Sequence, residues 1–209
     1  MVSVKSLAPF VAAMAIVVAA SNFLVQHPFD HFGLGEVLTW GAFTYPVAFL
    51  VTDLTNRRFG PGAARRVVYA GFAIAVVLSV WLATPRIAIA SGSAFLAAQL
   101  LDVTIFDRLR AQAWWRAPFI STVIGSVLDT VLFFSLAFAP AFAALDTGFG
   151  MADDSLGFPA TLFGAEVPLF VSLAFGDFCV KLLIGFAMLV PYGALLGVLR
   201  PAPSETVAE

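Results

Sequence analysis

Residues 118–141 read PFISTVIGSVLDTVLFFSLAFAPA. As a helix this segment is about 36 Å long, enough to cross the roughly 30 Å hydrocarbon core of a bilayer. A carboxylate lies near its middle, and hydrocarbon makes that charge costly unless it meets a polar partner or cavity. Helical spacing places five residues on one face: Thr122, Gly125, Ser126, Asp129 and Phe133. The segment therefore predicts a membrane-spanning helix with one polar side, although a packing stripe with Asp129 hydrogen-bonded to a neighbour would give the same pattern.

Other ionisable residues also interrupt apolar stretches, namely Asp53, Asp102, Asp177 and Lys181. Asp177 and Lys181 are four residues apart, so they can pair along one helix face. This pair is either a locked intrahelical bridge or a charge pair that a substrate or a proton rearranges. Asp53 has a simpler alternative, in which it caps a helix end or pairs with Arg57 or Arg58.

The composition is that of an integral membrane protein. Hydrophobic residues make up 61% of the 209 residues, charged residues only 11%, and the mean hydropathy is +0.97. Soluble domains carry about 25% charged residues, so most of this surface must face the lipid bilayer. The net charge of −2 and the lack of a basic patch give no case for a nucleic-acid partner. Cys179 is the only cysteine, which excludes an intrachain disulfide.

Six spans are predicted within a single transmembrane domain, residues 1–200. The first resembles a signal peptide in composition, but the charge distribution favours a spanning helix. Residues 201–209 are predicted to form a disordered cytoplasmic tail. The spans are Leu7–Val25, Glu36–Val51, Arg66–Thr84, Ile87–Phe106, Pro118–Ala141 and Pro168–Leu199.

The loop charges predict the orientation. With six spans, one side of the membrane carries nearly all the basic residues, and the other carries Arg86 and several acidic residues, including those of the external loop Leu145–Val167. Short basic loops stay cytoplasmic. The prediction is an all-α bundle of six transmembrane helices with both termini cytoplasmic. The basic residues on the first side are Lys5, Arg57, Arg58, Arg65, Arg66, Arg108, Arg110, Arg116 and Arg200.

No motif indicates a metal, a cofactor or a nucleophilic enzyme. His27 and His31 flank Asp30, but a short loop without further ligands indicates ordinary loop histidines. The sequence contains no His-Glu-x-x-His, no Gly-x-Ser-x-Gly and no phosphate-binding loop.

A longer pattern resembles a known family. Residues 44–56, TYPVAFLVTDLTN, look like the signature of the queuosine precursor transporters, which belong to the vitamin uptake transporter group. The resemblance continues through Asp129-Thr130, Asp177 and Lys181 to Pro191-Tyr192. It implies a multi-pass protein of the bacterial inner membrane. It also implies import of 7-cyano-7-deazaguanine or 7-aminomethyl-7-deazaguanine for making queuosine in tRNA.

The chemistry of such a substrate suggests a binding site. A carboxylate can accept two parallel N–H bonds from a guanine-like edge, and aromatic faces can stack on the ring. We expect Asp129 and Asp177 to contact the substrate and polar neighbours to orient it. The candidate substrate-binding residues are Asp129, Asp177, Lys181, Gln99, Asn22, Asp102 and Ser126.

Other functions remain open at this point. The transporter is either a self-sufficient carrier or a substrate-binding subunit, with another vitamin-like heterocycle as substrate, that needs an ATPase partner. It is also compatible with a homo-oligomer. A second class is an intramembrane enzyme with Asp129 and Asp177 as an acid–base pair, which requires the two carboxylates to meet. A third class is a structural or assembly subunit without small-molecule uptake.

Overall fold

The computed structural model describes residues 3–24, 27, 29, 31 and 40–197, which form a helical bundle. A two-stranded antiparallel hairpin, β1 (Pro159–Leu162) and β2 (Ala165–Pro168), precedes the last helix. The helices are α1 (Val4–Leu24), α2 (Gly41–Thr44), α3 (Val47–Phe59), α4 (Pro61–Leu82), α5 (Pro85–Leu109), α6 (Arg116–Phe138), α7 (Ala144–Thr147) and α8 (Leu169–Leu196).

Five of the described helices are long and apolar enough to cross a membrane: α1, α4, α5, α6 and α8. Each overlaps a predicted span. Helix α4 begins at Pro61, ahead of the predicted Arg66, because proline fits the first turn of a helix. Pro191 lies inside α8, which continues to Leu196, so the helix does not end at this proline. The predicted tail, residues 201–209, lies outside the described residues.

The predicted second span, Glu36–Val51, is not among the described helices long enough to cross a membrane, and the helix at its C-terminal end continues beyond Val51. The chain forms α2, turns at Tyr45-Pro46 and then continues as α3 to Phe59. Pro46 lacks an N–H and breaks the hydrogen-bond ladder at the turn. Helix α3 extends past Val51 because its polar residues are buried in the bundle instead of ending at the membrane surface. Residues 36–39 lie outside the described part of the chain.

Helices α2 and α3 run back along α1. Ser21 and Thr44 hydroxyls are 3.0 Å apart near the C-terminal end of α1, and the Phe10 and Phe59 rings are 5.5 Å apart near its N-terminal end. Phe10 and Leu196 also belong to one apolar cluster. The N-terminal end of α1 and the C-terminal end of α8 therefore lie at the same end of the bundle, here called the arginine-rich end. Its described basic residues are Lys5, Arg57, Arg58, Arg65, Arg66, Arg108, Arg110 and Arg116.

Small residues on α6 allow its neighbours to approach closely. A Cβ on Gly125 would lie 2.9 Å from Cε1 of Phe49 on α3. A Cβ on Gly185 of α8 would lie 3.0 Å from Cγ2 of Thr122 on α6. Thr122, Gly125, Ser126 and Asp129 are buried, so this part of the predicted stripe faces the bundle, while Phe133 is only partly buried.

Helix α8 places its polar side inward and its apolar side outward. Its buried residues are Lys181 and Tyr192. Leu183, Phe186 and Val190 are 65%, 64% and 76% exposed. This arrangement suits a helix surrounded by lipid, where apolar side chains face hydrocarbon and ionisable ones face the protein interior.

The segment after α6 was predicted as an external loop, and the structure adds α7 and the hairpin to it. The buried Arg86 at the start of α5 attaches this segment to the bundle. Its Nη1 lies 2.6 Å from Asp146 Oδ2, and its Nε and Nη2 donate to Leu136 O and Ala139 O at 2.8 and 2.7 Å. A cavity of about 480 Å³ opens beside these groups.

Asp153 makes a weaker, exposed contact in the same segment. Ser155 donates to its carboxylate through the hydroxyl and the backbone N–H, which lowers the pKa of Asp153, and Arg86 adds to this effect. A lowered carboxyl pKa contributes stability above the unfolded-state pKa, and that stability is lost as the pH falls below about 4.

We expect Arg86→Met to destabilise the protein by about 3–5 kcal/mol, because it leaves the Asp146 carboxylate buried without its cation. The measurement is thermal unfolding of the detergent-purified protein. Adding Asp146→Asn to this variant should recover part of the loss. Asp153→Asn is the matched control, and a melting temperature lowered as much by this control as by Arg86→Met would contradict the assignment.

Candidate functional site

Lys181 lies at the centre of a buried cluster of charges in the bundle. Its Nζ is 2.7 Å from Oδ2 of Asp129 on α6 and also forms an ion pair with Asp177, one turn away on α8. Lys181 and Asp129 are 4% and 3% exposed, so both charges are removed from solvent. One ammonium thus compensates two carboxylates.

Tyr45 and Thr130 complete the hydrogen bonds of this cluster. The Tyr45 hydroxyl donates to Asp129 Oδ1 at 3.0 Å, and its ring centroid lies 5.6 Å from Lys181 Nζ. Thr130 Oγ1 accepts from Lys181 Nζ at 3.3 Å and donates to Asp177 Oδ2 at 3.0 Å. We call these five residues the central cluster: Tyr45, Asp129, Thr130, Asp177 and Lys181.

The Asp177–Lys181 pair expected from the spacing is present, but it is not an isolated intrahelical bridge. Asp129 joins it from another helix, so the two candidate substrate-contacting carboxylates share one cation. The sequence reasoning missed Tyr45 and Thr130 as members of the site. The available signals were the position of Tyr45 before Pro46 in the 44–56 block, and Thr130 directly after Asp129.

A second group of acids lies closer to the arginine-rich end. Asp53 of α3 and Asp102 of α5 are 2% and 0% exposed, and their carboxyl groups face each other, with the Ser121 side chain of α6 beside both. We call Asp53 and Asp102 the acidic pair. Among the described residues, neither carboxylate forms an ion pair.

The structure corrects the alternative offered for Asp53. It neither caps α3 nor forms an ion pair with Arg57 or Arg58, since it lies inside the helix and faces Asp102. Arg57 Nη1 donates instead to Arg110 O at 2.5 Å. The candidate residue Asp102 accordingly belongs to the acidic pair and not to the central cluster.

The remaining candidates occupy three different surroundings. Gln99 Oε1 accepts from Thr52 Oγ1 at 2.6 Å, and its Nε2 is buried without a hydrogen-bond partner among the described residues. Ser126 Oγ is likewise buried and unpartnered within the described part of the chain. Asn22 donates to Val18 O of its own helix at 3.0 Å.

Polar groups line α6 between the acidic pair and the central cluster. Counted from Arg116, Ser121 lies about 8 Å and Asp129 about 20 Å along the helix axis, with Ser126 between them. One face of α6 therefore connects the arginine-rich end with the middle of the bundle.

The space beside these groups is narrow. A crevice of about 10 Å³ is bordered by Asp53, Thr122, Gly185 and Tyr192, among others. Such a volume holds about one water molecule, whereas small-molecule sites occupy about 300–1,000 Å³. A heterocyclic ligand would therefore require α3, α6 and α8 to separate.

Comparisons with known proteins identify relatives over most of the chain. The family profile described as Putative vitamin uptake transporter matches residues 39–84 and 78–195. The chain is 37% identical over 206 residues to the queuosine precursor transporter of Escherichia coli (strain K12), covering 88% of this chain and 83% of the relative. It is 36% identical over 215 residues to the probable queuosine precursor transporter of Haemophilus influenzae, again covering 88% of this chain and 83% of the relative. No solved structure matches the chain significantly.

We expect Lys181→Met to destabilise the protein by about 3–5 kcal/mol, because two carboxylates then lose their shared cation. Adding Asp129→Asn should recover part of the loss, and adding Asp177→Asn as well should recover more. The measurement is the melting temperature of each purified variant, with the exposed Lys5→Met as control. Equal melting temperatures for the single and triple variants would contradict charge compensation within the central cluster.

Proposed function

Because the chain belongs to the putative vitamin uptake transporter family, we propose that it imports queuosine precursors across the bacterial inner membrane. The substrates are 7-cyano-7-deazaguanine or 7-aminomethyl-7-deazaguanine. The chain is a multi-pass membrane transporter and not an enzyme. Its relatives are likewise transporters. The observation that carries the proposal is a cation held between two carboxylates in the interior of the bundle.

The proposed topology has six crossings. Helices α2 and α3 together provide the second crossing, interrupted at Tyr45-Pro46, and the five longer helices provide the rest. Interrupted helices that border a polar site are a common feature of transporters. The positive-inside rule then places the arginine-rich end and both termini in the cytoplasm.

Substrate recognition proceeds by an exchange of hydrogen-bond partners. In the central cluster Asp129 accepts from Tyr45 and Lys181, so its oxygens already meet two donors. The guanine-like edge of a deazaguanine offers parallel N–H donors that can replace them. Lys181 can retain Asp177 while it releases Asp129, which keeps the ammonium compensated. Gln99 Nε2 and the Ser126 hydroxyl, which have no hydrogen-bond partner among the described residues, supply further groups for the ring substituents. Asn22 of α1 is a further candidate.

We expect Asp129→Asn to weaken deazaguanine binding by about 10- to 100-fold, since the amide loses charge and one acceptor position. Isothermal titration of the purified protein with 7-cyano-7-deazaguanine gives the affinity. Asp107→Asn, on the arginine-rich end of α5, is the matched control and should bind like wild type. Unchanged affinity of the Asp129 variant would remove this residue from the site.

Uptake by purified protein distinguishes a self-sufficient carrier from a subunit that needs an ATPase. We expect protein in liposomes, without ATP or partner proteins, to accumulate labelled deazaguanine, because the bundle contains its own ionisable groups for coupling to an ion gradient. Complete lack of uptake, with binding intact, would favour the partner-dependent form.

The cellular role is tested by complementation. A bacterial strain that can neither make nor import the precursor should regain queuosine in its tRNA when it expresses this chain and receives 7-cyano-7-deazaguanine. Mass spectrometry of tRNA nucleosides provides the readout. Expression in the membrane without restored queuosine would contradict the substrate assignment.

A further inference from the structure

The acidic pair differs from the central cluster in its charge compensation. Each carboxylate of the central cluster contacts Lys181. Asp53 and Asp102 have no cation within ion-pair distance among the described residues. Asp53 Oδ1 and both Asp102 carboxylate oxygens are buried without a formed hydrogen bond to a described donor.

Two facing carboxylates in a medium of low dielectric constant repel strongly when both are ionised. A proton held between them removes the repulsion and supplies the missing hydrogen bond, as in other buried carboxyl dyads. The pair also lies next to the crevice bordered by Tyr192, on the side of the arginine-rich end.

We propose that Asp53 and Asp102 form the proton-binding site that couples deazaguanine import to the proton gradient. This inference rests on the proposed function and adds its energy source. It also relocates the coupling step, because the sequence alone suggested the Asp177–Lys181 pair for a mobile proton. Lys181 instead contacts Asp129, Asp177 and Thr130 and holds the central cluster together.

The occupant is a proton and not a metal ion. The two carboxyl groups are in mutual contact, and the adjoining crevice of about 10 Å³ leaves no room for a hydrated cation. No described group of three or more His, Cys, Asp or Glu residues is arranged to hold a metal. A shared proton needs only the two oxygens that already face each other.

The pair joins elements that must separate for substrate release. Asp53 lies on α3, Asp102 on α5, and Ser121 of α6 contacts both. With a proton bound, the pair closes the arginine-rich end. Once the proton passes to water on that side, repulsion between the two carboxylates favours opening. Substrate and proton entering from the opposite side would thus leave together.

Charged and titratable groups from each neighbouring element act on the pair. Arg57 lies one turn beyond Asp53 on α3 and carries a positive charge, and its guanidinium donates to Arg110 O at the end of α5. Tyr192 of α8 faces Arg57 and Asp53. Arg57 therefore assists release of the proton toward the arginine-rich end.

The test compares wild type with Asp102→Asn in proteoliposomes. Asparagine keeps a hydrogen bond to Asp53 but cannot exchange a proton. We expect wild-type uptake of labelled 7-cyano-7-deazaguanine to rise when the outside is more acidic than the inside, and to be accompanied by proton entry measured with a trapped pH dye. The Asp102 variant should bind the substrate normally and lose the stimulation by the gradient. Asp53→Asn is the second variant, and Asp107→Asn is the matched control that retains stimulation.

A second measurement reports the shared proton directly. Infrared spectra of the purified wild type at neutral pH should contain a protonated-carboxyl band that shifts in D₂O. This band should be lost in Asp102→Asn and Asp53→Asn and retained in Asp107→Asn. Retention of the band in both acidic-pair variants would overturn the assignment even if either variant transported poorly.

The outcomes separate this inference from the proposed function. Wild-type uptake that is insensitive to the pH gradient overturns the coupling site and leaves the import function standing. Uptake driven by sodium and lost in Asp102→Asn would identify a sodium site and overturn the proton assignment. Absence of uptake in proteoliposomes, with queuosine still restored in the complemented strain, overturns proton coupling by this chain alone and leaves the import function standing. Absence of uptake in proteoliposomes together with failed complementation overturns both.

Discussion

A buried ammonium shared by two carboxylates is the interaction on which the rest of the bundle depends. Lys181 on α8 contacts Asp129 on α6 and Asp177 on its own helix. Burying one of these charges alone would be strongly unfavourable, and the group must therefore assemble as a unit. Its assembly fixes the register of α6 against α8 and brings Tyr45, at the break between α2 and α3, onto Asp129.

Small residues around α6 make this arrangement geometrically feasible. Gly125 of α6 leaves room for the Phe49 ring of α3. Gly185 of α8 leaves room for the Thr122 side chain of α6. Helices that approach this closely can place short polar side chains in mutual contact. The same tight packing leaves little space for a ligand, so transport requires the helices to exchange one packed arrangement for another, as expected for alternating access.

The central cluster and the acidic pair differ in how their carboxylate charges are compensated. The central cluster is compensated by its own cation and hydrogen-bonded at nearly every oxygen, which suits a site that binds by exchanging partners. The acidic pair has no cation within ion-pair distance among the described residues and lies near the arginine-rich end, which suits a group whose charge changes during the cycle. Ser121, Ser126 and Asp129 connect the two levels along one face of α6.

The sequence by itself determined the class of the protein, five of its long helices, the segregation of basic residues to one end and the Asp177–Lys181 pair. The length of an apolar segment, the positions of the basic residues and the spacing of side chains along a helix are local properties that can be taken directly from the sequence. Only the tertiary structure decided the partners of Asp129, Asp53 and Asp102, and the extension of α3 beyond Val51. Asp129 and Lys181 are 52 residues apart, and such partners are chosen by which helix faces meet in the bundle. Hydropathy placed the polar TDLTN segment at the membrane surface, whereas burial against α5 keeps it helical and inside.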